Sequence, residues 1–335
     1  MNIDIHQHPG RRPYQEDRFL VTHIHDGVLL AVLDGHGGPA VAEDAAMMLP
    51  GLVQRFLQAR AEITPAEALA EAIGVIVEET ADGRPEAGHR RASGATLSVA
   101  YVAPAQITTA VLGDSPILLR IDGEDWMSPA HNVELNPEDV ARIEAAHQAR
   151  IMRGELRITS AHLLLGSFAA LALTRALGDP EFEAYLIREP QIMTHPLTPD
   201  SAFTLILASD GIQVSADAEL LQRHYTDLLD QVQAGRSAGG LGRQHANDPR
   251  ASDNLTILTV NHTREGETLT LRLREHEGMN YLRESDIPPH LQESLDDALR
   301  GSTIPAVPGV ADAVYPQDVL SWADHNDIKI ELLRE

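Results

Sequence analysis

Strand pairs in this chain are joined by turns too short to carry a crossover. Residues 19–24 and 28–33 are apolar, β-prone runs separated by a turn at Asp26-Gly27. A link of that length joins only neighbours that run in opposite directions. Residues 94–102, 106–112 and 117–121 form three more strands with links nearly as short, and 203–208 and 255–261 read as buried strands. The helical segments come in blocks. One covers 39–60, where Pro50 is expected to kink or split it. The second opens on the capping box Thr64-Pro65-Ala66-Glu67 and runs to about Thr80, before a polar loop at 81–91. A third begins at Asn136-Pro137 and ends near His147, and a fourth spans 217–233 with Gly235 as its C-cap. Strands and helices do not alternate strictly, so a layered α+β sandwich is predicted over a doubly wound parallel sheet.

The chain has 335 residues, 43% apolar and 23% charged, which is a globular balance. Its 26 basic and 50 acidic residues leave a net charge of −24. That excludes the electrostatic footprint needed for a phosphate backbone, so neither nucleic acid nor an anionic membrane is expected as a partner. There is no cysteine, which rules out disulfides, thiolate zinc sites, iron–sulfur clusters and thiol nucleophiles. No apolar run approaches the ~18 residues of a membrane span. The first residues carry neither a basic region nor an apolar stretch of the secretory kind, so a cytoplasmic protein is expected. The character changes after about residue 263. An edge strand at 268–273, helices at 290–300 and 316–325, a Pro/Gly/Ala-rich linker at 302–314 and a short strand at 328–333 are predicted there. Residues 1–262 are read as one domain and 263–335 as an appendage.

The placement of carboxylates carries the chemistry. Two apolar strands end alike: residues 29–33 run into Asp34-Gly35, and 205–209 run into Asp210-Gly211. An Asp at the end of a rigid strand projects its carboxylate from a fixed platform, and the following Gly permits a sharp turn. Two such ends brought together make a hard-oxygen site suited to Mg²⁺ or Mn²⁺. Glu16-Asp17 precedes the chain's first predicted strand at 19–24, Asp114 follows another, and Asp253 precedes the last. A single Asp-Gly is usually a turn residue; five acidic stations at strand ends are harder to explain that way. His36, between Gly35 and Gly37-Gly38, can act as a general acid toward a leaving oxygen. Arg12, near Glu16, suits a bidentate phosphate contact. His23 and His25, read on one strand face, and the pair His6 and His8 lack an evident third ligand and are set aside.

Together these residues resemble a known family, the metal-dependent type 2C protein serine/threonine phosphatases. Residues 10–18 are similar to its opening motif, and Asp34-Gly35-His36-Gly37-Gly38 matches its Asp-Gly-His-Gly-Gly signature. Ser93-Gly94-Ala95-Thr96, Gly113-Asp114-Ser115, the run 173–179, Ala208-Ser209-Asp210-Gly211 and Ser252-Asp253-Asn254 follow in family order. The resemblance implies two packed, mainly antiparallel sheets flanked by helices, an α/β/β/α sandwich. It implies that Asp34 bridges two Mg²⁺ or Mn²⁺ ions. Asp210 and Asp253 would complete the first ion's protein ligands, and Glu16 and the Gly35 carbonyl would serve the second. Asp114 with Asp210 would hold a third, weaker metal. Asp17 would orient metal-bound water, Arg12 would hold the phosphate, and His36 would protonate the leaving seryl or threonyl oxygen. The implied partner is a phosphoprotein made by an opposing Ser/Thr kinase, with the phosphatase a monomer. Two other readings use the same residues: a phosphatase-fold module without turnover, and a metal phosphohydrolase of small molecules. The chain departs from the family at Pro116, where arginine is usual, and at Ala130, where aspartate is usual.

Overall fold

The computed structural model describes residues 2–60, 62–83, 92–166, 169–213, 215, 217–246, 252–262, 272–275 and 330–333. Two antiparallel sheets lie at its centre. The first contains β1 (Asn2–His8), β8 (Ile117–Ile121), β9 (Glu124–Met127), β15 (Phe203–Ala208) and β16 (Leu255–His262), joined at one edge by β17 (Arg272–Glu275) and β18 (Ile330–Leu333). Its strand order is β17-β18-β1-β16-β15-β8-β9. The second contains β2 (Arg18–Ile24), β3 (Gly27–Leu33), β6 (Leu97–Ala103), β7 (Gln106–Leu112) and β14 (Gln191–Pro196), in the order β14-β7-β6-β3-β2.

Alternate residues along each strand build the layers. Phe19, Val21, Leu30 and Val32 face Leu205, Leu207, Leu258 and Val260 in the apolar layer between the sheets. Their neighbours Leu20, Leu29 and Leu33 face outward onto helices α1 (Ala40–Ala59) and α2 (Pro65–Glu79). Ile206 and Ala208 face the other way, onto α4 (Ala218–Gln233) and α5 (Ala238–Ala246). Strands covered on both faces read as continuous apolar runs, which is why 29–33 and 203–208 show no alternation. The result is the expected four-layer α/β/β/α sandwich.

Beside it, α3 (Pro137–Met152) packs with a small sheet of β10 (Leu156–Ile158), β11 (Leu163–Leu165) and β12 (Ala169–Leu171) around a separate cluster that includes Ile143, Leu156, Leu163 and Phe182. A fourth sheet joins three two-residue strands: β4 (Gly35–His36), β5 (Gly94–Ala95) and β13 (Leu177–Gly178), in the order β13-β5-β4. No helix among the described residues is long and apolar enough to cross a membrane.

The capping box is present: the Thr64 hydroxyl accepts from the Glu67 N–H, and the Glu67 carboxylate accepts from the Thr64 N–H. Asp217 caps α4 by accepting from the N–H groups of Glu219 and Leu220. Other expectations need correction. The β2–β3 turn is His25-Asp26, because Ile24 pairs with Gly27; His25 has φ +51, so it leaves the strand and does not share a face with His23. Pro50 does not split its helix. The segment that reads as one strand at 94–102 divides at Thr96, whose backbone and hydroxyl turn to Asp34. Helix α3 continues to Met152, with non-helical φ/ψ at His147, where the sequence suggested its end. The predicted strand 268–273 corresponds to β17, of which Arg272 and Leu273 overlap it, and 328–333 corresponds to β18. Most of the 81–91 loop, the 290–300 and 316–325 helices and the 302–314 linker lie outside the described residues.

Candidate metal centre and active site

Antiparallel pairing gathers the acids. Strands β3, β7 and β15 end at one edge of the sandwich, and β2, β6 and β16, their antiparallel partners, begin there. Asp34, Asp114 and Asp210 lie just past strand ends, whereas Glu16, Asp17 and Asp253 lie just before strand starts. Glu16, Asp34, Gly35, His36, Asp114, Asp210, Asp253 and Arg12 all line one open cleft of about 510 Å³. Asp17 lies beneath them, buried, with its Oδ2 accepting from the Thr256 hydroxyl at 2.8 Å.

Neutral groups hold this frame. The Asp34 N–H donates to Thr96 Oγ1 at 3.0 Å, and that oxygen is 2.7 Å from Ser115 Oγ, beside Asp114. Asn254 Oδ1 accepts from the Glu16 N–H at 2.8 Å while its Nδ2 donates to the Pro9 and Tyr14 carbonyls, so one amide fixes the whole 9–16 loop. Asn132 Nδ2 donates to Asp114 Oδ2 at 2.9 Å. His131 supports the same turn: its Nδ1 accepts from the Gly113 N–H, and its Nε2 faces Gln191 Oε1 at 3.2 Å. That pattern fits a neutral ring. Burial, with Arg175 nearby, pushes its pKa down to about 4. Pro116 replaces the family arginine at a position where its carbonyl accepts from the Ala208 N–H at 3.1 Å, tying the Asp114 turn to β15. Gly35 has no room for a side chain: a Cβ there would sit 2.5 Å from the Glu16 carbonyl oxygen.

The electrostatics are those of an acid cluster short of cations. Burial pushes the Asp17 carboxyl up to about 7 despite hydroxyl donors, with Asp210 and Asp253 adding to the rise. Burial and Asp210 push Asp114 up to about 7 as well. Asp34 is raised well above the carboxylate range by burial and by Asp210, Asp17 and Asp114; Asp210 is raised mainly by burial. Buried like charges this close destabilise one another until a cation arrives. Arg12 supplies one, donating from Nη2 to Asp253 Oδ2 at 2.6 Å, but its side chain is half exposed. Asp17 Oδ1 is buried without a hydrogen-bond partner. An all-oxygen donor set with that charge deficit fits Mg²⁺ or Mn²⁺. The acids line the cleft without closing on a common point: among the described residues no three acids or histidines are drawn together as a finished cage.

Sequence reasoning left several site residues without a role. Asn254 and Thr96 stand inside recognised motifs and could have been suspected from their adjacency to Asp253 and to the Gly94-Ala95 strand. Asn132 closes the run 128–132 that resembles a family segment, and its tie to Asp114 was not read from it. Asp179, also in a motif, bonds His36 from 143 residues away. Buried Asp139, in the first turn of α3, receives both Nε and Nη2 of Arg175 at 2.7 Å and anchors the 173–179 run.

A family model of protein phosphatase 2C matches residues 16–222. "Probable protein phosphatase 2C 59" of Oryza sativa subsp. japonica is 28% identical over 258 residues, covering 75% of this chain and 73% of that protein. "Protein phosphatase 1L" of Bos taurus is 25% identical over 280 residues, covering 80% and 74%. The crystal structure of a serine-threonine phosphatase 2C from Toxoplasma gondii superposes with a TM-score of 0.60 at 19% identity, covering 78% of this chain and 94% of that one, and so shares the fold. The chain belongs to the protein phosphatase 2C family and is a protein serine/threonine phosphatase.

Proposed function

We propose that this chain hydrolyses phosphoserine and phosphothreonine in cytoplasmic phosphoproteins, opposing a Ser/Thr kinase, as a monomer that binds two Mg²⁺ or Mn²⁺ ions. The observation that carries this reading is the convergence of Glu16, Asp34, Asp114, Asp210, Asp253, Arg12 and His36 on one cleft. Asp34, Asp210 and Asp253 would hold one ion, and Asp34, Glu16 and the Gly35 carbonyl the other; Asp114 with Asp210 offers a weaker third place. Two bound divalent ions supply a nucleophile at neutral pH and cover for phosphate charge. Arg12 swings from Asp253 to the phosphate, giving the planar, bidentate contact that lysine cannot. Asp17, sheltered beneath the cleft and held by Thr256, orients the attacking water and takes up its proton. His36, with its side chain about one-third exposed, gives a proton to the departing seryl or threonyl oxygen. Burial works against the charged ring, but Asp179, Glu16 and Asp114 hold its pKa above the ordinary histidine value.

The test is hydrolysis of a phosphothreonyl peptide by protein stripped with EDTA, with and without added Mn²⁺. Activity restored by Mn²⁺ is expected. A folded, Mn²⁺-binding protein that leaves the peptide intact would sink the proposal.

A further inference from the structure

The small sheet β13-β5-β4 brings His36 and Asp179 to one point. Its register sets Gly94 opposite His36 on one side and Gly178 on the other. His36 Nε2 then lies 2.9 and 2.8 Å from the two carboxylate oxygens of Asp179. The meeting takes place over the α-carbon of Gly94. A Cβ at that position would stand 2.2 Å from Asp179 Oδ2 and 2.4 Å from His36 Nε2, so the pair exists only because residue 94 has no side chain. Asp179 is held in the left-handed region at φ +53, a conformation that Asp and Asn adopt more readily than most residues. Arg188 fastens the strand that delivers it by donating to the Ala176 and Gly178 carbonyls. The Asp179 carboxylate is 9% exposed and the His36 side chain 34%, so the anchor is sheltered while the ring reaches the cleft. Among the described residues His36 Nδ1 makes no hydrogen bond.

We propose that Asp179 is the positioning residue for His36: it grips the imidazole by Nε2 and leaves Nδ1 to hand the proton to the leaving oxygen, with Gly94 as the gap that lets the two meet. The proposal rests on the reading of His36 as general acid. In the step concerned, water oxygen bonds to phosphorus and the phosphorus–oxygen ester bond breaks. The bond pair stays on the seryl or threonyl oxygen, which takes the Nδ1 proton. The ring becomes neutral and is reprotonated from solvent, while Asp179 stays a carboxylate throughout. A carboxylate that orients a histidine in this way raises the fraction of encounters in which the proton is correctly aimed.

The test uses the full chain with Mn²⁺ and two substrates. A phosphothreonyl peptide releases an alkoxide that needs a proton; p-nitrophenyl phosphate releases a stable phenolate that does not. Asp179→Asn keeps the shape and the left-handed backbone but removes the charge. It is expected to lower kcat on the peptide about tenfold more than on p-nitrophenyl phosphate, with little change in KM. Made on top of His36→Ala, it should cost nothing further, because the two act as one unit. Gly94→Ala, which wedges the pair apart while keeping both the carboxylate and the imidazole in the chain, should give the same unequal loss and decides the matter if the Asn variant does not fold. Equal losses on both substrates, or an added loss in the double variant, overturn the proposal. If His36→Ala itself loses equally on both substrates, the general-acid reading has failed beneath it. If His36→Ala alone shows the inequality, Asp179 has failed and the acid stands.

Discussion

Asp34 and Asp210 occupy the ends of two strands from different sheets, and the Asp210 N–H lies 3.4 Å from Asp34 Oδ2. Replacing either carboxylate with alanine should lower metal-dependent peptide hydrolysis by about a thousandfold or more, as loss of a key electrostatic group does elsewhere. Circular dichroism should stay native, since the change removes repulsion rather than packing; a variant with near-normal turnover would remove the dinuclear assignment. The pH dependence of the metal-free protein has a definite sign. Asp17 and Asp114 titrate near 7 when folded against an ordinary 3.8. Between those values the folded chain binds more protons than the unfolded one, so stability falls as pH rises through the window. EDTA-treated Asp114→Asn should therefore lose less Tm than wild type between about pH 5.5 and about pH 8. His131 works in the opposite sense: a pKa held near 4 against 6.5 costs stability as pH falls through that range. The comparison must accordingly be between variant and wild type. At this scale the sequence was most legible for residues that carry charge at strand ends. Asn132 and Asp179 were not, because their roles depend on partners 18 and 143 residues away.

Pro50 shows how an element can defy its own composition. A proline inside a helix removes one hydrogen bond and usually bends or breaks it. Here α1 runs unbroken from Ala40 to Ala59, with Pro50 itself buried in the face that carries Val41, Ala45, Ala46, Leu49 and Val53. Packing along the whole length outweighs the local defect, and nothing in a linear pattern reports that. The adjacent α2 is the reverse case, written plainly by its capping box. Thr64→Ala should cost about 1 kcal/mol, read as a lower urea midpoint at unchanged slope. A loss much larger would mean that Thr64 supports more than the helix start. Strands with two apolar faces were legible throughout. β1 was not, because Asp4, His6 and Gln7 are polar yet buried, and α5 was hidden by three glycines in nine residues. β14, an edge strand with four of six residues exposed, has no apolar signature to read.

As a whole the molecule carries a charge of −24, and its cleft is lined by acids. Long-range attraction of that kind is screened by salt over about 10 Å at 0.1 M. For a phosphothreonyl peptide flanked by arginines, kcat/KM should fall as NaCl is raised; for one flanked by glutamates it should rise. Parallel responses would mean that the surface field plays no part in substrate capture. The order of the motifs made the family legible, but not the way the ends of the domain close on each other. β1 pairs along its full length with β16, Arg12 meets Asp253, and Asn254 pins the 9–16 loop across 238 residues. This arrangement has a consequence in time. During synthesis, the segment bearing Arg12 and Glu16 emerges first and must wait for almost the entire domain before residues 252–262 arrive to dock beside it. On the proposed assignment, a nascent chain stalled short of that point would hold the other site acids and still lack Asp253. On the assignment proposed above, a fragment that ends before β16 would have no hydrolytic activity.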